Sequence, residues 1–386
     1  MTTLNLPAPV WIDTDAALAD ACKTWAGEEC LALDTEFVRT TTFYPRPGLI
    51  QVATLDTCWL IDPLTISDWE PFNAILTAAG IVKIFHACAE DLEVCRRLCG
   101  VVPEPLFDTQ LAMAFVGEGG SVGFQRAVAG LLNVEIPKEA TRSDWLQRPL
   151  TDEQVDYATA DVYYLRRLYP GLAERLHSAG RMSWVVEDCQ RITEAARTAE
   201  DDLSNSFRRV KLAWKLRPQE QHILQRLSLW REHEARRLDV PRNKVADDQA
   251  LWNIARYKPR NRDQLHKAGL RPNVIRDSGK DILAMVAGAL EDTDSVWPEL
   301  VNRPLSIAAG NVMKALKARV AARAEALAIP PDLLANKRLT EALVRSRGSD
   351  LSGPVSGWRM DVIGKELIEV LASGDTTGDE NDQDTL

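Results

Sequence analysis

The sequence predicts a mixed α/β domain followed by two small all-helical domains. Three observations predict it. Strand and helix patterns alternate over residues 1 to about 205. Beyond about residue 206 the strand patterns vanish. The 386 residues, at roughly 150 per domain, hold two or three domains. Hydrophobic residues make up 45% and charged residues 26%, which excludes a mainly disordered chain, a collagen-like repeat and a disulfide scaffold. No stretch approaches the roughly 20 consecutive apolar residues that span a bilayer. The N-terminus MTTLNLPAPVWIDTDAALAD carries neither the basic nor the apolar region of a signal peptide. The expectation is a cytoplasmic protein with no membrane partner.

Each element has its own signal. ECLALDTEFV is a short apolar run bounded by polar residues, which reads as a strand. LIQVATLDTCWLID reads as two strands joined at Asp56-Thr57, and IVKIFHA as another strand. EDLEVCRRLCG reads as a helix stopped by Gly100. FDTQLAMAFVG is apolar at helical spacing. TDEQVDYATADVYYLRRLYPGLAERL opens on an N-cap at Thr151, with Asp152 and Glu153 at the positive end of the helix dipole. The domains are expected at 1–205, 210–292 and 302–373. They are followed by an acidic tail, 374–386, read as disordered.

Charge is unevenly placed. The chain totals −10, yet residues 206–280 hold nineteen Lys and Arg against eight Asp and Glu, a net of +11. This is the footprint of a polyanion-binding module. The seven cysteines are odd in number and include no Cys-x-x-Cys pair, which points to reduced thiols and away from a zinc site.

The chemistry lies in carboxylates. Asp34 and Glu36 sit two apart on a strand and so share a face. Like charges there are costly without a neutralising cation. About 55 residues on, Asp91 falls in the first turn of a helix, just after the strand that ends at His86. About 70 further, Tyr157 and Asp161 are four apart, on one helix face. Alone, each has an ordinary structural explanation; the order of all three is demanding. Phe43 and Tyr44, before Pro45, suit base stacking. Trp145 reads as core more readily than as a stacking platform, and Asp108 as a helix cap or a partner of the acids. Lys138 and Arg148 suit phosphate contact or a solvated loop equally. No P-loop, GxGxxG or GxSxG is present, so no nucleotide cofactor is expected.

The ordered motifs resemble those of the DEDD superfamily of 3′–5′ exonucleases, in the branch with tyrosine in the third motif. DTEFVRTTTFYPRPGLIQV, LIDPL, HACAEDLEV, FDTQLAMAF, SDWLQRPLT and YATADVYYLRRL resemble the bacterial ribonuclease D family over residues 10–180. VPRNKVADDQALWNIARYKP, Gly269 and SGKDIL resemble an HRDC domain. SGWRMDVIGKELIEVL resembles the end of a second one. The resemblance implies a ribonuclease H-like mixed-sheet domain before two HRDC domains. It implies hydrolysis of RNA from 3′ ends with two divalent cations, Mg²⁺ or Mn²⁺, and release of nucleoside 5′-monophosphates. tRNA precursors are its expected substrates.

By the same resemblance, Asp34 bridges both ions, Glu36 and Asp161 complete one site, and Asp91 holds the second. Tyr157 orients the attacking water. Thr35, His86 and Lys138 are its candidate substrate contacts. Hard oxygen donors select Mg²⁺ or Mn²⁺ over zinc. A 3′–5′ DNA exonuclease and a non-catalytic HRDC protein that binds nucleic acid are the alternatives. The first shares the motifs; the second is disfavoured because all four acids are present. Nothing reads as a coiled coil, so a monomer is expected. Because every expected ligand precedes residue 205, a chain ending near Asn205 is expected to keep cleaving short strands.

Overall fold

The computed structural model describes residues 6–136, 143–199, 203–348 and 355–374. The acidic tail from 375 onward lies outside them. By contact, the chain divides into two compact units. One comprises 1–38, 47–197 and 305–386, the other 39–46 and 198–304.

The first unit begins with β1 (Val10–Ile12), α1 (Asp15–Trp25), β2 (Cys30–Val38), β3 (Arg46–Ala53), β4 (Cys58–Ile61), α2 (Glu70–Leu76), β5 (Val82–Phe85), α3 (Ala89–Cys99) and β6 (Leu106–Asp108). α4 (Thr109–Phe115), α5 (Phe124–Leu132), α6 (Asp152–Ser178) and α7 (Met182–Thr198) follow. The strands form one sheet in the order β1-β4-β3-β2-β5-β6. β3 and β4 are antiparallel, while β1–β4, β2–β5 and β5–β6 are parallel, so the sheet is mixed as expected. β1 and β6, three residues each, were too short to leave a readable pattern. Gly100 stops α3 in the left-handed region at φ 76°, as its position in the sequence predicts.

The topology decides where chemistry can sit. β2 and β5 run parallel, with Cys30, Leu31 and Ala32 opposite Val82, Lys83 and Ile84. Both strands therefore deliver their carboxyl ends to the same side. Asp34 and Glu36 lie beyond the paired stretch of β2, and His86 follows β5 directly. Ligands in open α/β sheets favour this crevice outside the carboxyl ends of strands.

The helical parts repeat. α8 (Pro218–Leu238), α9 (Arg242–Val245) and α10 (Asp248–Tyr257) precede α11 (Arg262–Lys267) and α12 (Pro272–Glu291) in the second unit. α13 (Ile307–Leu327), α14 (Pro331–Leu334) and α15 (Lys337–Ser346) precede α16 (Lys365–Gly374) in the first. From Pro218 to Ile307, Arg242 to Pro331 and Asp248 to Lys337 the displacement is 89 residues each time. The caps coincide at that displacement. Asp239 and Ala328, then Lys258 and Arg347, are left-handed, and Asp247 and Asn336 cap the third helix.

The second repeat is no free appendage. Leu316, Val320, Ala324, Trp358 and Leu367 share one apolar cluster with Phe115, Val185 and Leu172. Trp358 stacks on Trp184 at 4.7 Å, and its indole N–H donates to Asp188, which also takes a two-point ion pair from Arg359. Arg181 donates to the carbonyls of Phe115 and Leu327. At Gly117 (φ +86°) a Cβ would stand 2.7 Å from the Ala328 carbonyl, so only glycine admits this approach. A chain ending near Asn205 would lose all of these contacts. Residues 302–373 read as a domain of their own, but apolar residues of α13 to α16 join the nuclease core.

Trp358→Ala should therefore lower nuclease stability by about 3–5 kcal/mol, with the activity loss following the same melting curve. Unchanged melting of the nuclease signal would show that the second repeat folds apart from it.

Candidate active site

The site grows from three local structures. On β2 the two-residue period puts Asp34 and Glu36 on one face and Thr35 on the other. On α6 a capping box of Thr151 and Gln154 fixes the helix start, and Tyr157 and Asp161 follow one turn apart. Between β5 and α3 the chain turns through Ala87, held left-handed at φ 60°. Asp108 fixes that turn by accepting from the Ala87 and Cys88 N–H groups at 3.2 and 3.0 Å. It also caps α4 by accepting from Gln110 and Leu111. Asp108 is thus a buried cap that holds the two turns beside His86 and Asp91.

Asp34, Glu36 and Asp161 converge: each offers a carboxylate oxygen, and the three lie within 4.8 Å of one another. Asp91 is buried, and its Oδ1 accepts from Thr35 Oγ1 at 2.6 Å. The Thr35 hydroxyl, expected to meet substrate, positions that carboxylate. Asp34, His86, Tyr157, Asp161 and the start of α5 line a cavity of about 480 Å³.

Burial and mutual repulsion push the acids upward. Burial, then the Asp161 charge, carries Asp34 up to about 8. Burial, then Asp34, Asp161 and Asp91, carries Glu36 up to about 10. Burial carries Asp161 up to about 7, against a hydrogen bond from Tyr157 that favours its charge. Asp91 is raised by burial and by Asp34. Burial and the neighbouring carboxylates hold the Tyr157 phenol protonated. Such a set is unstable as bare anions and fits divalent cations, which offer charge to hard oxygen donors.

His86 is kept neutral by burial. Its Nε2 meets the Val122 carbonyl at 3.0 Å, and its Nδ1 meets Thr109 Oγ1 at 2.9 Å. A carbonyl only accepts, so Nε2 carries the proton. With both nitrogens engaged, His86 serves as cavity wall, edge-on to Phe124 at 5.4 Å. Gly123, Phe124, Gln125 and Arg126 complete that wall. Sequence reading missed them: GFQRAVAGLL is an ordinary amphipathic helix whose first turn faces the acids only once folded.

The remaining candidates separate. Trp145 is core, 2% exposed, and packs near Tyr157 at 6.1 Å. Arg148 makes a two-point ion pair with Asp62 and is no open phosphate contact. Phe43 is buried, which corrects its reading as a stacking platform. Lys138 lies outside the described residues.

Two family models match this chain. The 3′-5′ exonuclease model covers residues 9–177 and the HRDC domain model covers 220–286. Ribonuclease D of Pseudomonas paraeruginosa is 41% identical over 375 residues, spanning 96% of this chain and 99% of that protein. The chain belongs to the ribonuclease D family. Ribonuclease D of Escherichia coli is 36% identical over 366 residues, 93% of this chain and 97% of that one. The crystal structure of Escherichia coli RNase D, described as an exoribonuclease involved in structured RNA processing, superposes with a TM-score of 0.89. It is 35% identical and covers 95% of this chain and 99% of that one. A protein from Bifidobacterium adolescentis, 21% identical with a TM-score of 0.70 and covering 96% and 99%, shows the shared fold alone. As a family member the chain is a 3′–5′ exoribonuclease with a divalent-metal-dependent site.

The raised acids set a pH dependence. Unfolded carboxyls titrate near 4, while the folded cluster keeps protons to higher pH. The folded state thus binds more protons, and stability falls as pH rises from about 4 through the folded values. Each excess proton contributes on the order of 1 kcal/mol per pH unit. Without metal, the melting temperature should fall between pH 5 and 9, and Mg²⁺ should restore it most at high pH. Asp34→Asn should flatten both trends; equal slopes in the two proteins would remove the electrostatic account.

Proposed function

We propose that this enzyme trims the 3′ ends of structured RNAs, tRNA precursors among them, releasing nucleoside 5′-monophosphates with two cations, Mg²⁺ or Mn²⁺. The observation that carries the reading is the convergence of Asp34, Glu36 and Asp161 beside buried Asp91. Asp34, Glu36 and Asp161 would hold one ion, with Asp34 shared and Asp91 serving the other. Bound there, the cations supply charge for the attacking and leaving oxygens and lower the pKa of water.

The chain's own groups do the rest. Tyr157, protonated and hydrogen-bonded to Asp161, orients the nucleophilic water and is no general base. Thr35 fixes the Asp91 carboxylate. His86 and the first turn of α5 wall the space where the terminal nucleotide lies, Phe124 offering a ring face for its base. Lys138, three residues before Thr141 in the segment preceding α6, is proposed as a phosphate contact. The 89-residue repeat supports reading 210–292 and 302–373 as two HRDC modules after a nuclease of 1–205, even though the second shares the nuclease core. A cytoplasmic monomer is part of the proposal; no helix among the described residues is long and apolar enough to cross a membrane.

Digestion of 3′- and 5′-labelled RNA and DNA oligonucleotides with Mg²⁺, Mn²⁺ or EDTA tests this reading. Stepwise shortening of 5′-labelled RNA, stopped by EDTA, is expected; faster loss of DNA would favour the DNA exonuclease. Tyr157→Phe should lower kcat roughly 10- to 1,000-fold at nearly constant KM, since the hydroxyl acts in the transition state. A raised KM with unchanged kcat would make it a substrate contact instead.

A further inference from the structure

Residues 39–46 connect the carboxylate strand β2 to β3, yet they pack with the helical unit. Phe43, 5% exposed, sits with Ala235 and Val245. The guanidinium groups of Arg236 and Arg242 lie over its ring, 4.5 and 4.7 Å from the centroid. Asp239, the left-handed residue ending α8, accepts from the Phe43 and Tyr44 N–H groups at 3.1 and 3.0 Å. Buried Glu232 pairs with both arginines. Docked this way, the segment leaves a cleft of about 520 Å³. Arg39, Thr40 and Thr42 line one side, and Arg242, Asn243 and Lys244 the other.

The chemistry of this cleft is one-sided. It has three cations and no lining carboxylate. The two acids beside it are already engaged, Glu232 by arginines and Asp239 by backbone N–H groups. Thr40, Asn243 and Lys244 are exposed, and their side chains make no hydrogen bond or ion pair among the described residues. Elsewhere the basic window is more occupied than its charge suggests. Outside the cleft at least eight of its cations, among them Arg226, Arg231, Arg256 and Lys258, are in ion pairs with carboxylates.

The internal repeat supplies a comparison. At the 89-residue displacement the same corner of the second repeat carries Pro331, Asp332 and Leu333 where the first has Arg242, Asn243 and Lys244. Glu325 stands at the place of Arg236. The corner folds without these basic residues, so its backbone does not demand them.

We propose that the cleft is a phosphate-binding subsite for the RNA chain behind its 3′ end. This rests on the exoribonuclease reading above. Donors dominate the lining, and the planar guanidinium of Arg242, held over the Phe43 ring, suits the paired oxygens of a phosphodiester. Base stacking is excluded there because the ring of Phe43 is covered. The subsite therefore binds backbone without regard to sequence. Arg39 follows Glu36 by three residues, so one wall of the subsite is chain leaving the carboxylate strand.

The test measures binding of a labelled 12-nucleotide single-stranded RNA to the full chain in EDTA, across a salt series. Lys244→Ala should weaken binding roughly fivefold at 0.1 M salt and flatten the log–log salt slope by about 0.7. Lys244→Glu should weaken it further. Lys267→Ala, an exposed cation of the same unit outside the cleft, should change affinity less than about twofold. Unchanged melting temperatures confirm folding. An unaltered slope in Lys244→Ala, or an equal loss in Lys267→Ala, would overturn the subsite. Trimming of RNA by the wild-type chain with Mg²⁺ separates the two claims. If trimming occurs and Lys244 proves neutral, only the subsite fails; without trimming, the exoribonuclease reading fails.

Discussion

Three carboxylates crowded into one poorly hydrated cleft are the constraint on which the rest of this structure depends. Bare, they repel, and burial raises each of them. A fold gains nothing from such a cluster on its own, so rigid elements must impose it. The end of β2 presents two acids by strand alternation, and α6 brings the third one turn beyond Tyr157. Asp91 arrives on α3 and is fixed by Thr35. Asp108, a cap, locks the turn that aims His86 and Asp91. Each support serves to hold charge where a cation can neutralise it.

The helical repeats serve the same frame in different ways. Each has a corner where a 21-residue helix ends on a left-handed residue before a proline. In the second repeat that corner meets Gly117 and Arg181 and completes the nuclease core. In the first, Asp239 captures the segment that leaves β2. One motif thus provides core in one copy and a basic cleft in the other, the difference lying in side chains at matching positions.

Much of this was legible in the sequence because the signals were local. Asp34-Thr35-Glu36 and Tyr157/Asp161 follow from the periods of strand and helix. Thr151 and Gly100 are helix punctuation and fall where expected. What escaped depends on distant partners. Phe43 before a proline resembles an exposed platform; a helix almost 200 residues away buries it. Leu316 and Trp358 are apolar whatever covers them, so their union with Phe115 left no local trace. Thr35 gave no sign that its hydroxyl belongs to Asp91, and the +11 window did not show how many of its arginines are paired internally.

The central claim is that the acid cluster holds protons until divalent cations replace them. Titrating Mg²⁺ or Mn²⁺ calorimetrically at pH 7, in buffers of different ionisation enthalpy, counts the protons released per site. The account predicts release of roughly one to two protons, lost in Asp34→Asn. Metal binding that releases none would mean the carboxylates are already ionised, and the electrostatic basis of the site would be wrong.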